Sequence, residues 1–449
     1  MRPQHTAARA ARAARAASAA RAVRGRALCP DPAARRWRLI EDAVISWGED
    51  GRLRAVENAR GYEERAHAAP PPVTHAGAVW VPGFVDTHVH YPQTQIIGSA
   101  SGPLLSWLER SVFPEEARFA NEEYAARVAE RFCDHLLSHG TTSAAIYSSS
   151  HPGATRVLFE ALSRRGLRAE AGLTLMDRGA PEALLRPAEE ALEACALLAD
   201  RWHNHDGGRL RFCLTPRFGL SCTPALLRGA GLLAEERGLW VQTHISENPL
   251  ELEATAAAFP EARDYLAVYE DLGLLHARTL LAHCIWLSQG EWDRLSAAGA
   301  TVTHCPDSNL FLGSGQMPLA EALGRGVRVG LGSDVGAGRS FSLRRAAARA
   351  YDASRITAAG VSPAELLWLA TRGGALATGR GAEVGCLAPG YEADMVCVAL
   401  PPDLDEPSGL SEEERVELLS SRLVFCEDWG GLRETRVRGR LVWAAPEGR

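Results

Sequence analysis

The chain has 449 residues, of which 46% are hydrophobic and 23% are charged, and its formal net charge is -6. This length exceeds that of most single domains and fits a large barrel with a smaller appended domain. No apolar run approaches the ~20 residues of a bilayer span, and the negative charge gives no general attraction for phosphate backbones, so neither a membrane nor a nucleic acid is an expected partner.

The first 28 residues contain many alanines, seven arginines and no acidic residue. A transit-type presequence and a disordered or misassigned start both fit this composition. We favour the second alternative and expect residues 1–20 to be a disordered leader outside the fold.

Both ends of the remaining chain are predicted to be β-rich. Residues 44–47 and 53–56 flank the turn residues 48–51, which is typical of a hairpin. Similar short runs return at 393–398 and 436–443. We therefore predict that residues 21–81 and 386–449 pack together as one composite β-sandwich.

The middle of the chain, residues 82–385, repeats a unit of strand, loop and helix. Two of its predicted helices, 121–139 and 224–237, end close to a glycine, as helices commonly do. Eight such units predict a closed α/β barrel of the (β/α)8 type, TIM-like in architecture. The predicted strands lie near residues 81–88, 142–147, 168–176, 210–216, 239–245, 280–285, 301–305 and 328–333.

Potential metal ligands follow several of these strands. His88 and His90 stand two apart on an extended segment, so both rings should point to one face. His244, His283 and Asp334 lie at the ends of later strands, and catalytic groups of such barrels gather at that mouth. Imidazoles with a carboxylate suit zinc, which lowers the pKa of a bound water from about 15.7 to roughly 7. The spacing alone does not decide which of these residues are the ligands.

Further polar residues are expected at the same mouth. Glu247 follows His244 by three positions, which favours a proton shuttle beside the metal, although a surface glutamate after a strand is common. Arg217 offers several hydrogen-bond donors and Phe218 offers an aromatic ring. Together they would suit a planar substrate that bears a carbonyl group. Taken alone, that pair is weak evidence.

Other histidines are given structural interpretations. His203 and His205 form a second H-x-H pattern, but they precede a strand and should lie at the opposite mouth, where we interpret them as solvated. His304 lies inside a strand without a ligand partner at suitable spacing, so we expect a structural role.

Together these residues resemble the amidohydrolase superfamily. The segment Pro82–His90 is similar to its strand-one signature, and the histidines and Asp334 occur in its order. Within that superfamily the chain resembles the guanine deaminase family over residues 20–445. Ser333, where such proteins commonly have threonine, and the stretch 426–428 depart from the pattern. The narrower resemblance is carried by His90–Gln93, Leu104–Leu108, Phe113–Pro114, Thr215–Phe218, His244–Asn248, Cys305–Leu310 and Gly332–Gly338.

The resemblance implies one zinc ion per chain and the hydrolytic deamination of guanine to xanthine and ammonia. His88, His90, His244 and Asp334 would hold the metal, and His283 would hydrogen-bond the attacking water. A homodimer is also implied, while the scattered cysteines independently predict a cytoplasmic location.

The resemblance also implies how the purine is bound. Gln93 and Arg217 would bind its edge, Phe218 would pack on its ring, and Glu247 would move protons between water and N3 while water oxygen attacks C2. The substrate-binding residues would be His90, Gln93, Arg217, Phe218, His244 and Glu247, and the catalytic residues Glu247, His283 and Asp334.

Two alternative functions remain open from the sequence, and several others are excluded. A related aminohydrolase or chlorohydrolase acting on another aromatic heterocycle would use the same metal site, and a non-catalytic scaffold would keep only the barrel. The chain has no lysine, which excludes Schiff-base chemistry and P-loop NTPases. Its ten cysteines include no C-x-x-C pair, which excludes cytidine-deaminase-like zinc sites and favours a reducing compartment.

Overall fold

The computed structural model describes residues 21–65, 72–357, 360–401 and 403–446, so the predicted leader lies outside the described residues. The chain begins with four strands and one short helix. These are β1 (Ala22–Pro30), β2 (Trp37–Trp47), β3 (Leu53–Asn58), α1 (Ala59–Arg65) and β4 (Val73–Pro82).

The barrel strands follow after a break at Gly83, where a Cβ atom would lie 2.1 Å from the Thr142 hydroxyl oxygen. They match the predicted strands to within a few residues, and most are buried along their whole length, as parallel strands between helices and a core should be. They are β5 (Phe84–His90), β6 (Thr141–Tyr147), β7 (Arg168–Gly172), β8 (Thr174–Leu175), β9 (Leu210–Pro216), β10 (Trp240–Ile245), β11 (Thr279–His283), β12 (Thr301–His304) and β13 (Arg328–Leu331).

The parallel order β5-β6-β7-β9-β10-β11-β12-β13 confirms the (β/α)8 barrel, and the short β8 continues the course of β7 beside β9. Backbone hydrogen bonds close the seam between the first and last strands. The Asp334 amide donates to the His88 carbonyl at 2.9 Å, and the His90 amide donates to the Val335 carbonyl at 3.2 Å.

Helices surround the barrel or connect its strands. Two of them match the sequence prediction, with Asn121 as N-cap of one and Gly238 in a left-handed conformation after the other. The helices are α2 (Leu104–Trp107), α3 (Phe113–Ala117), α4 (Glu122–Ser138), α5 (Pro152–Arg165), α6 (Ala188–Trp202), α7 (His205–Gly208), α8 (Pro224–Arg237), α9 (Pro249–Ala258), α10 (Tyr265–Glu270), α11 (Gln289–Ala297), α12 (Pro306–Phe311), α13 (Leu319–Gly324), α14 (Leu343–Ile356), α15 (Pro363–Trp368) and α16 (Gly374–Ala377).

The C-terminal segment returns to the first four strands. It contains β14 (Met395–Ala399), α17 (Glu412–Phe425), β15 (Leu432–Val437) and β16 (Arg440–Ala444). The strand order β16-β15-β14-β4-β1-β2-β3 makes one mixed sheet from both chain ends. The sequence prediction of a composite β unit therefore agrees with the structure, whereas α17 was not predicted.

Within this single sheet, β3 approaches the segment that leads into β14, although the two are not neighbouring strands. The Leu53 amide donates to the Tyr391 carbonyl at 2.8 Å, so the start of β3 meets the loop before β14. The enclosed core includes Val23, Ile45 and Trp80. The predicted boundary between residues 81 and 82 falls near the junction of β4 and β5 and stays a prediction. Among the described residues, no helix combines the length and apolar character that a membrane span requires.

Candidate active site

The candidate site is a cavity at the carboxyl ends of the barrel strands, with an empty volume of about 410 Å³. Its apolar wall comes from the helical segment after β5 and includes Leu104, Trp107 and Leu108. The sequence-predicted residues that line it are His90, Gln93, Arg217, Phe218, His244, Glu247, His283 and Asp334.

The potential metal donors converge beside this cavity. The Nε2 atom of His90 lies 3.2 Å from Nε2 of His88 and 3.2 Å from Nε2 of His244. Asp334 Oδ1 lies 3.2 Å from His88 Nε2 and 3.5 Å from His90 Nε2. Zinc–nitrogen bonds of 2.0–2.1 Å in a tetrahedron place neighbouring donors about 3.3 Å apart. The donor set therefore fits a zinc-sized cation.

The histidines of this set have the protonation state that metal binding requires. Burial lowers the pKa of His88, His90 and His244, the last two well below the ordinary value, so all three are neutral near pH 7. The Nδ1 atom of His244 lies 2.5 Å from the Arg217 carbonyl. Donation from Nδ1 to that carbonyl leaves the Nε2 lone pair free for a metal.

A second group of potential ligands overlaps the first. It shares His88 and Asp334 and adds His283 and Cys305. Burial and the neighbouring Asp334 raise the pKa of the Cys305 thiol well above its ordinary value. Because a protonated thiol is a poor ligand, the three-histidine set is favoured.

Asp334 is held in position by strand β5. The Asp86 carboxylate accepts hydrogen bonds from the Ser333 amide at 3.0 Å and from the Ser333 hydroxyl. Asp334 itself has φ = 50° and His283 has φ = 73°, a left-handed conformation that is uncommon for residues other than glycine. Such conformations cluster at functional sites, where the surrounding structure enforces them.

Glu247 lies beside the donor set and contacts His283. Its Oε2 atom is 3.3 Å from His283 Nε2, and its Oε1 atom accepts a hydrogen bond from the Ser314 hydroxyl at 3.0 Å. Burial raises the pKa of Glu247 to about 7, against the opposing effect of His283. A carboxyl group with this pKa both accepts and returns a proton near neutral pH.

His283 is oriented through its other ring nitrogen. Its Nδ1 atom lies 2.9 Å from Asn309 Oδ1, so Nε2 faces Glu247 and, at 3.9 Å, Asp334 Oδ2. Burial lowers the pKa of His283, but the two carboxylates outweigh burial and raise it above its ordinary value. The geometry suits a group that hydrogen-bonds a water between Glu247 and the donor set.

The far wall of the cavity contains a buried ion pair. Arg217 Nη1 donates to Glu116 Oε2 at 2.6 Å, and Gln93 Nε2 donates to Glu116 Oε1 at 3.2 Å. Phe218 is nearly buried, and the Arg217 guanidinium lies 5.6 Å from the ring centre of Phe113. This wall combines hydrogen-bond donors with aromatic surface, which suits a planar polar ligand.

Sequence reasoning missed the groups that hold these residues, namely Asp86, Glu116, Asn309 and Ser314. The carboxylate of Glu251 belongs with them, because it accepts hydrogen bonds from the backbone amides of Glu247 and Asn248, at 2.8 and 3.1 Å. Only Asp86 had a sequence signal, since it precedes His88 and His90 at strand spacing.

The structure keeps the remaining histidines away from the donor set. Neither His203 nor His205 belongs to a potential metal group among the described residues. His203 Nδ1 lies 3.2 Å from the Phe212 carbonyl, and His205 Nε2 lies 3.4 Å from Asp206. His304 is buried, and burial lowers its pKa to about 3, so it stays neutral. Its structural role stays a prediction.

Known proteins resemble this chain along most of its length. A model of the amidohydrolase family matches residues 79–442. The guanine deaminase of Escherichia coli K12 is 36% identical over 420 residues, 92% of this chain and 94% of that protein. A probable guanine deaminase of Deinococcus radiodurans is 43% identical over 329 residues, 71% of this chain and 73% of that protein. A crystal structure of guanine deaminase from C. acetobutylicum, with guanine in its active site, has a TM-score of 0.85 at 28% identity and covers 94% of this chain and 100% of that one.

Proposed function

Because the chain belongs to the amidohydrolase family, and within it to the guanine deaminases, we propose that it hydrolyses guanine to xanthine and ammonia. The observation that carries this proposal is a single small cavity that joins a zinc-compatible donor set, a carboxyl group with a pKa of about 7 and a wall of hydrogen-bond donors.

The metal is zinc, one ion per chain, held by His88, His90, His244 and Asp334. When bound, zinc supplies a Lewis acid that lowers the pKa of a water molecule and so provides a nucleophile at neutral pH. The close approach of the neutral Nε2 atoms supports this set, because three imidazoles at 3.2 Å need a cation or shared protons between them.

Glu247 carries protons during the reaction. It accepts one proton of the attacking water and delivers it to N3 of the purine. It then transfers the remaining proton of the new C2 hydroxyl group to the 2-amino group, which leaves as ammonia as the C2 carbonyl forms. His283 donates a hydrogen bond to the water, and its contact with Asn309 Oδ1 keeps it pointed at that position. Glu247 and Asp334, both near Nε2 of His283, raise the pKa of this ring against the effect of burial.

The substrate is held by the opposite wall. Gln93 and Arg217 donate hydrogen bonds to the purine edge that faces away from C2, and Phe218 packs on the ring. His90, His244 and Glu247 border the reacting carbon. The apolar side chains of Leu104, Trp107 and Leu108 complete the wall around the base.

An ultraviolet assay of purified, zinc-loaded protein with guanine, following xanthine and ammonia, tests the proposal. Glu247→Gln should lower kcat by about 10²–10⁴ without loss of metal. Glu253→Gln, on an exposed position of the same segment, is the matched control and should keep full turnover. Absence of guanine turnover in protein that holds one metal per chain would discard guanine as the substrate.

The proposal also covers the location and the oligomeric state of the enzyme. We infer a cytoplasmic homodimer that acts in purine breakdown, on the family resemblance and on a cysteine pattern without C-x-x-C pairs. Light scattering after size exclusion tests the dimer, and a monomer at micromolar concentration would contradict it.

A further inference from the structure

We propose that Glu116 is a positioning residue that fixes the amide orientation of Gln93, so that the cavity wall presents only donors and selects 6-oxo over 6-amino purines. The inference rests on the proposed function, because it concerns the purine that the same cavity binds. Glu116 is one of two adjacent glutamates on α3, and its side chain is 1% exposed.

The Glu116 carboxylate is shared by two residues of the cavity wall. One oxygen of Glu116 accepts from Arg217 Nη1 at 2.6 Å, and the other accepts from Gln93 Nε2 at 3.2 Å. Hydrogen bonds to an ionised carboxylate are stronger than those between neutral groups. The two donors proposed to bind the purine edge are therefore anchored on one buried group.

The oxygen of the Gln93 side-chain amide also has a fixed partner. Gln93 Oε1 accepts a hydrogen bond from the backbone amide of Gly336 at 3.2 Å. A 180° flip of the Gln93 amide would place Oε1 against the Glu116 carboxylate and Nε2 against the Gly336 N–H. Both new contacts would be repulsive, and buried polar groups left without partners are costly. Only one orientation is therefore stable.

In this orientation the cavity wall offers hydrogen-bond donors to a ligand. The amide nitrogen of Gln93 has a second hydrogen to donate, and the Arg217 guanidinium has only donors. Two donors match the O6 and N7 acceptors of a 6-oxopurine, whereas a 6-aminopurine places its own donor at the first of these positions. A site whose buried polar groups are fixed as donors binds a ligand much more weakly when that ligand presents another donor to them.

Glu116→Gln tests the inference, because a glutamine at this position can donate to Gln93 Oε1 and so permits the flipped amide. Glu115→Gln is the matched control on the same helix. Glu115 contacts Arg118 at 2.7 Å and the Tyr124 hydroxyl and makes no contact with Gln93 or Arg217. Hypoxanthine and adenine are the probes, since they differ at position 6 and both lack the 2-amino group that the proposed reaction removes.

The measurement is the ratio of the Kd values of adenine and hypoxanthine, by calorimetry on zinc-loaded protein. We expect E116Q to lower this ratio at least about tenfold and E115Q to leave it within twofold. With guanine, E116Q should raise KM more than it lowers kcat, because binding rather than chemistry is affected. An unchanged ratio in E116Q, or an equal fall in E115Q, would overturn the inference.

The binding ratio does not depend on turnover, so it separates this inference from the proposed function, which the guanine assay on the unmodified protein decides. If E116Q does not fold, Gln93→Met replaces the amide with an apolar chain of similar length. That variant should lower the ratio in the same direction, and full retention of the hypoxanthine preference would also overturn the inference.

Discussion

The Ser314 hydroxyl contacts the carboxylate of Glu247, the group that we propose moves protons. Burial raises the pKa of Glu247 to about 7, while His283 and the Ser314 hydroxyl lower it. The balance of these effects keeps the group near the pH at which it can both accept and return a proton. Small changes around Glu247 should therefore shift the pH dependence of catalysis.

Ser314→Ala tests this balance. The Ser314 hydroxyl stabilises the ionised form of Glu247, so its removal should raise the pKa of that carboxyl group further. Because the ionised form acts as the base, the acidic limb of the kcat/KM profile should move to higher pH, and activity at pH 6 should fall more than activity at pH 8. A pH–rate profile measures the shift, and an acidic limb that coincides with that of the unmodified protein would contradict it.

For single residues, the sequence predicts the metal ligands better than it predicts the groups that orient the site. His88, His90, His244 and Asp334 stand at strand ends, where the barrel geometry brings them together. Glu116 is separated from Arg217 by 101 residues and Ser314 from Glu247 by 67, and neither follows a strand. Their contacts depend on how loops fold over the barrel, which no residue spacing encodes.

Among the elements, the junction of β5 with the loop after β13 has two functions. It closes the barrel, and it holds Asp334 against the donor set through the contact between Asp86 and Ser333. Groups that orient a metal ligand typically change metal affinity 10–100-fold when removed. The contact between Asp86 and Ser333 should therefore influence metal affinity, although neither residue is a proposed ligand.

Ser333→Ala should weaken zinc binding by about 10–100-fold, because the hydroxyl no longer ties the Asp334 segment to Asp86. Ser333→Thr keeps the hydroxyl and should bind zinc nearly as the unmodified protein does. Competition with a chromophoric chelator gives both dissociation constants. Equal affinity in the alanine and threonine variants would show that the hydroxyl has no such function.

The helix α17 shows where element prediction failed. The sequence analysis assigns residues 386–449 to the β-sandwich and predicts no helix there, yet Ser411 and Glu414 form a capping box, with the Ser411 amide donating to Glu414 at 2.8 Å. The spacing of Ser411 and Glu414 is a sequence signal for the start of a helix. The single mixed sheet was not visible in the sequence, because short alternating runs give strands without giving their order.

Ser411→Ala should therefore destabilise α17 by about 1 kcal/mol, since it leaves the Glu414 amide without its side-chain partner. Hydrogen exchange of the first turn of α17 measures the effect locally. Exchange there at the rate of the unmodified protein would contradict the prediction.

In the whole molecule, a buried arginine joins the barrel to the composite sheet. Arg168, in β7, contacts Glu383 at 2.8 Å, Asp394 at 3.4 Å and also Glu392, and its side chain is 1% exposed. Removing Arg168 takes from buried Asp394 the arginine paired with it, and removing one partner of a buried ion pair is strongly destabilising. The stability of the protein should therefore depend strongly on this residue.

Arg168→Met should lower the free energy of unfolding by about 3–5 kcal/mol, because three carboxylates lose their shared cation. Arg164→Met is the matched control, since the pair of Arg164 with Glu130 is exposed and worth about 0–1 kcal/mol. Denaturant titrations give both values. Losses of similar size in the two variants would contradict a special role of Arg168.

The composite sheet also determines when the protein can finish folding during synthesis. β4 ends at Pro82 and its neighbour β14 begins at Met395. A ribosome that adds about 5–20 residues per second needs on the order of tens of seconds to make the intervening segment. Throughout this interval one edge of β4 has no partner strand, and such edges template aggregation. Translation that stops before β14 therefore leaves a nascent chain with an open strand edge.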